Sequence, residues 1–144
     1  MKLMSKDFAD KDSIPSEFTC DGRNVSPQHS WEDAPEETKS LALSVTDPDA
    51  PGGMWIHWLV YGIPKKLSKI ERGSLPAGAK EVENDFGRRP YGGPCPPSGT
   101  HRYFFTLYAL DTEHMESLNK RNFLEKVKKH TIEKAEILGS YKRR

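Results

Sequence analysis

The chain has 144 residues, of which 30% are charged and 35% hydrophobic, with a formal net charge of +1. This is the length of one domain, 1–144, with enough apolar residues for a real core. A charge so near zero excludes a global field that would draw in nucleic acid or an anionic membrane.

The first fifteen residues, MKLMSKDFADKDSIP, carry charges every few positions where a secretory leader has an apolar run, which predicts a cytoplasmic location. No segment reaches the ~20 apolar residues of a membrane span, so no membrane insertion is expected. Two cysteines, Cys20 and Cys95, fall short of the ligand set of a structural zinc site. A bridge between them requires that their segments meet in space, and in a reducing compartment it is the lesser expectation.

Further along, LALSVTD (41–47) has strand composition and ends at the turn-forming DPDAPGG. MWIHWLVYGI (54–63) follows as a second strand. Strict alternation puts Trp55, His57, Leu59 and Tyr61 on one face and Met54, Ile56, Trp58 and Val60 on the other. Both faces are apolar, which predicts an interior strand, and Pro64 stops it. Residues 64–100 are loop-rich. KEVENDFGRRPYGGPCPPSGT (80–100) is expected to be irregular throughout, because its prolines remove donors and its glycines favour unusual angles. An irregular segment of that length in a compact domain points to a functional loop. HRYFFTLYAL (101–110) is the clearest strand, with His101, Tyr103, Phe105 and Leu107 on one face. NFLEKVKKH (122–130) reads as a helix that Asn119 or Asn122 can cap, and AEILGSY (135–141) as a closing strand. The basic runs at 120–130 and 141–144 read as a solvated helix face and a tail. The sum is a mainly β domain with one helix near the C-terminus.

His57 and His101 each begin an apolar strand just after a proline- and glycine-rich turn. If those strands run side by side, the two imidazoles converge beside the DPDAP turn and the PYGGPCPP loop. His29, His114 and His130 lie in polar surroundings and are expected at the surface. Three chemistries suit the convergent set. Asp47, Asp49, His57 and His101 supply nitrogen and oxygen ligands for a metal, yet no HxH or HExxH array fixes two of them on one element. A His–Asp pair can serve a hydrolase, with Ser98 or Cys95 as nucleophile. However, Cys95 lies between prolines and Ser98 lacks a strand–turn–helix context. The third is an anion pocket: imidazole N–H groups and loop N–H groups as donors, with Trp55, Tyr91 and Tyr103 as walls. There Asp47 fixes a histidine tautomer, accepts a proton held by the anion, or receives an attached ammonium; alone, it also suits a turn cap before Pro48.

DPDAPGGMWIHWLVYGIP and YGGPCPPSGTHRYFFTLYAL together resemble the two signature segments of the phosphatidylethanolamine-binding protein family, which includes the Raf kinase inhibitor proteins. FTCDGRNVSPQHSW (18–31) and HTIEKAEILGSYKR (130–143) match its bacterial and archaeal branch. The resemblance implies two antiparallel sheets with Greek-key connections and short peripheral helices. It also implies a pocket for phosphate, phosphoryl-ethanolamine or a phospholipid head group. That pocket would use Asp47, Pro51, Trp55 and His57 with Tyr91, Gly92, Gly93, Pro96, His101 and Tyr103, and Asp49 and Tyr141 would stand at its border. A cis Ala50–Pro51 peptide is implied as well. The GGM linker is shorter than in the animal proteins, and no long C-terminal helix follows, which implies a more open pocket. On this basis the chain is expected to be a binding protein without catalytic residues, metal or cofactor, with a kinase or a serine protease as a possible protein partner. A hydrolase built on His57, His101 and Asp47, or a serine protease inhibitor, is the alternative.

Overall fold

The computed structural model describes residues 1–143; Arg144, the last residue of the basic tail, lies outside them. The chain forms β1 (Lys2–Met4), β2 (His29–Glu32), β3 (Ser40–Asp47), β4 (Trp55–Pro64), β5 (Lys69–Ile70), β6 (Lys80–Val82), β7 (His101–Leu110), α1 (Phe123–His130) and β8 (Thr131–Tyr141), with a 3-10 turn at Ser16–Phe18. It is mainly β, in two antiparallel sheets ordered β1-β2-β5 and β6-β4-β3-β7-β8. Within the larger sheet, β7 returns to lie beside β3 after the β3-β4-β6 run, which is the Greek-key order.

All eight residues of β3 are buried, as its central place requires. Leu41, Leu43 and Val45 join Tyr103, Phe105 and Leu107 of β7 and Trp31 of β2 in the core between the sheets. Ala42, Leu59 and Leu110 instead meet Phe123 and Val127 on the inner face of α1. The N-cap residue Asn122 makes no side-chain capping bond; Asn119 instead closes the turn before the helix, its Oδ1 accepting the Arg121 and Asn122 N–H groups at 2.9 and 3.0 Å. Strand β8 begins at Thr131, four residues before the stretch 135–141, because Thr131, Glu133 and Lys134 continue the pairing with β7 at the sheet edge. Charged side chains on that edge discourage pairing with another chain.

Three expectations change. Strand β4 does not alternate strictly. Val45 pairs with Trp58 and Thr46 with Ile56, so His57 is an extra residue in a bulge; a second irregularity near Gly62 follows. As a result Ile56 joins Leu59 and Tyr61 on the α1 side, while His57 and Trp58 both meet the loop near residue 92, through Gly92 and Tyr91 respectively. Within the stretch 80–100, Lys80–Val82 are a strand after all, because Leu59, Val60 and Tyr61 offer them an open edge. His29 is fully buried rather than at the surface, its ring 5.0 Å from that of Phe105. β2 turns it into the core beside Trp31, whereas His114 and His130 do reach solvent.

Candidate functional site

Strands β4 and β7 are not neighbours; each flanks β3, antiparallel to it. The starts of β4 and β7 therefore lie at the end of β3, where Asp47 stands between His57 and His101. Each oxygen of the Asp47 carboxylate accepts one hydrogen bond. Oδ1 accepts the Asp49 N–H at 2.7 Å, the turn cap, and Oδ2 accepts from His101 Nδ1 at 2.7 Å. That second bond fixes the His101 tautomer, because a carboxylate offers no proton of its own. Asp49 is turned away from the site and holds Arg102 through its N–H, Nε and Nη2. The guanidinium pulls the Asp49 carboxyl down to about 2.

The turn between β3 and β4 contradicts the implied cis peptide: no cis bond occurs among the described residues, so Ala50–Pro51 is trans. Gly53 N–H donates to the Ala50 carbonyl at 3.0 Å and Gly52 has φ +86°. This is a type II turn, with trans proline in its second position and glycine in its third, whereas cis proline belongs to another turn class.

His57 is held from the other side. Its Nδ1 lies 2.6 Å from the Gly92 carbonyl oxygen, and Gly92 N–H returns a bond to the His57 carbonyl at 3.2 Å. A carbonyl only accepts, so Nδ1 carries the proton and Nε2 is left for the site. The fully buried Asn84 ties this loop down. It donates from Nδ2 to the carbonyls of His57 and Pro90, while its Oδ1 accepts Phe86 and Arg88 N–H. Burial pushes the His57 imidazole below its ordinary range, against smaller opposing effects from the Gly92 bond and Asp47.

These residues enclose a cavity of about 270 Å³, lined by Asp47, Pro51, Trp55, His57, Pro96, His101 and Tyr103 from the expected set, and by Ala50, Phe86, Cys95 and Pro97 besides. The Tyr103 ring stands edge-on to His57, centroids 5.2 Å apart, and stacks on His101 at 6.5 Å. Its hydroxyl is buried without a partner, and burial raises its pKa. Phe86 packs edge-on against both Trp55 and His57. As a lone aromatic in a polar loop, Phe86 carried no periodic signal; Asn84 had only the turn-like NDFG around it. A larger groove of about 640 Å³ near Lys65, Lys66 and His114 holds no buried unpartnered polar atom of this kind.

Other expected site residues stand outside the cavity. Tyr91 is no wall: it is buried against Trp58 and donates its hydroxyl to the Phe18 carbonyl at 2.8 Å. Gly92 and Gly93 are no anion donors, since Gly92 N–H bonds His57 and Gly93 N–H bonds Asn24 Oδ1 at 2.8 Å. They are glycines because of close approach: a Cβ at 92 would lie 2.5 Å from a Phe86 ring carbon, and one at 93 would overlap the Phe18 carbonyl. Tyr141 pairs with His101 along the strands but gives its hydroxyl to Asp21. Cys20 and Cys95 are joined in a disulfide, so the segment around Cys20 braces the cavity loop. Among the described residues no group of three or more His, Cys, Asp or Glu is placed to hold a metal, and no helix is long and apolar enough to cross a membrane.

A Greek-key β domain with paired histidines at one end of its main sheet defines the class. The sequence profile described as phosphatidylethanolamine-binding protein matches residues 4–142, and the chain belongs to that family. It is 45% identical over 150 residues to a UPF0098 protein of Methanothermobacter thermautotrophicus, with 99% of each chain covered. Among solved structures it resembles E. coli YbcL, described as a member of the mammalian PEBP family, at 32% identity and a TM-score of 0.95, covering 99% of this chain and 98% of that one. CT736 of Chlamydia trachomatis is similar at 37% identity and a TM-score of 0.92, covering 99% and 97%.

Proposed function

We propose that the chain is a non-enzymatic binding protein whose cavity takes a small phosphate-type anion or a phosphorylated head group. The carrying observation is that both imidazoles spend Nδ1 on the protein, which leaves Nε2 of each beside the buried Tyr103 hydroxyl in one hollow. Aromatic and proline walls exclude water and strengthen bonds formed there. Nucleophilic hydrolysis has less support: the Cys95 sulfur is bonded to Cys20, and no serine lines the cavity. Exposed Met54, Trp55 and Phe86 beside the mouth support a further step, in which ligand occupancy changes how a protein partner such as a kinase or serine protease meets this surface. A cytoplasmic location belongs to the same reading, although the disulfide pulls against it.

The test is thermal denaturation with inorganic phosphate. A ligand at about 100 times its Kd contributes about 2.7 kcal/mol to stability. The melting temperature of the wild type should rise, and that of folded His57→Ala and His101→Ala should not. Turnover of phosphomonoesters lost in both variants would support an enzyme instead.

A further inference from the structure

We propose that the cavity selects anions that still carry an acidic proton, the singly protonated phosphate monoester being the matching class, over anions that have none. This rests on the anion-binding reading above and adds the protonation state of its ligand.

The polar atoms around the cavity are few, and their roles are set. Pro51, Pro96 and Pro97 have no N–H to offer, and neither lysine nor arginine lines the space. Each oxygen of Asp47 already accepts one bond, from Asp49 N–H and from His101, and the N–H groups of Gly92 and Gly93 are spent within the protein. What remains among the lining side chains is His57 Nε2, His101 Nε2, the Tyr103 hydroxyl and the Trp55 indole N–H.

His57 decides the selection. Its proton sits on Nδ1, against the Gly92 carbonyl. The groups around the ring are Phe86 and Asp85 from the 84–92 loop, Tyr103 from β7 and Asp47 from β3. None of them makes a hydrogen bond to Nε2 among the described residues. Burial disfavours the charged ring, and in the neutral ring with its proton on Nδ1 the Nε2 atom is a lone pair that accepts and cannot donate. Facing a bare anionic oxygen, that lone pair repels; facing a P–O–H group, it forms a bond. The Tyr103 hydroxyl then donates to another ligand oxygen. His101, whose Nδ1 is held by Asp47 and which pairs with Tyr141 across the strand, presents its Nε2 to the same hollow.

Calorimetric titration of the wild-type protein with methyl phosphate, dimethyl phosphate and sulfate between pH 5 and 8.5 tests this. Dimethyl phosphate keeps its single charge without a proton throughout, so it is the proton-free reference of equal charge. Methyl phosphate should bind at least about tenfold more tightly than either at pH 5.5, the loss expected when a buried acceptor goes unpaired. Its advantage over dimethyl phosphate should fall about tenfold per pH unit above the monoester's second ionisation at ~6. Equal binding of dimethyl phosphate or sulfate, or an advantage that stays constant to pH 8.5, overturns the proposal and leaves the anion site standing. No binding of any of the three overturns the site itself.

Discussion

Asp47 and His101 lie 54 residues apart in the chain and meet at 2.7 Å, both buried, one the last residue of β3 and the other the first of β7. The antiparallel pairing of β3 with β7, which runs as far as Thr46 opposite Phe104, brings the two strand ends to the same end of the sheet. The bond orients one imidazole and leaves its Nε2 to the cavity. Asp47→Asn should keep the turn, since asparagine caps it equally well, but should lose the charge behind His101. A hydrogen bond to a charged group contributes roughly 1.5–3 kcal/mol, so phosphate affinity should fall about tenfold or more with the melting temperature little changed. Calorimetric titration of the folded variant measures it, and unchanged affinity would contradict the role given to Asp47.

Gly92 and Gly93 predict a graded response. Gly92→Ala drives a methyl into Phe86, which can swing outward, at a cost of about 1–3 kcal/mol. Gly93→Ala meets the Phe18 backbone, which cannot move as a side chain can, and should cost more. Urea unfolding of the two variants should rank them in that order; the reverse ranking would show that the Phe86 contact is the stiffer one.

The Cys20–Cys95 bridge closes a separation of 75 residues. Constraint of the unfolded chain over such a loop stabilises by roughly 4 kcal/mol. Denaturant midpoints of the oxidised protein and of Cys20→Ser/Cys95→Ser should differ accordingly. A difference below about 1 kcal/mol would mean that the hydrogen bonds from Tyr91, Gly93 and Cys20 hold the loop without it.

His29 gives the protein an acid-sensitive core. Burial holds its imidazole near 4, far below an unfolded value of ~6.5. Between those values the unfolded chain binds the extra proton, so stability is fully present above pH 6.5 and is lost as pH falls toward 4, by a few kcal/mol in all. Stability of His29→Leu between pH 4.5 and 7.5 should be flatter than that of the wild type. Parallel curves would assign the acid sensitivity to other groups.

The long strands were legible because β3, β4 and β7 combine branched and aromatic residues with turn residues at their ends. β1, β2 and β6 were not: KLM, HSWE and KEV are too short for a period, and exist because a partner edge awaits them. His29 was misread for the same reason, since its local neighbours are polar while its burial is decided by Phe105, 76 positions away. At the site, the convergence of Asp47, His57 and His101 followed from strand starts and turns. The fate of the Gly92 and Gly93 donors did not, because their acceptors, His57 and Asn24, come from elsewhere in the chain. The bulge at His57 was equally hidden, being a property of pairing with β3.

The most direct test of the account is nitrogen-15 NMR of the histidine rings during titration with inorganic phosphate near pH 6. The account predicts that the free protein carries His57 in the Nδ1–H form and that the Nε2 signals of His57 and His101 move together and saturate, while those of buried His29 and exposed His114 stay in place. Saturable movement at His114 or His130 alone, or none at any ring, would contradict it.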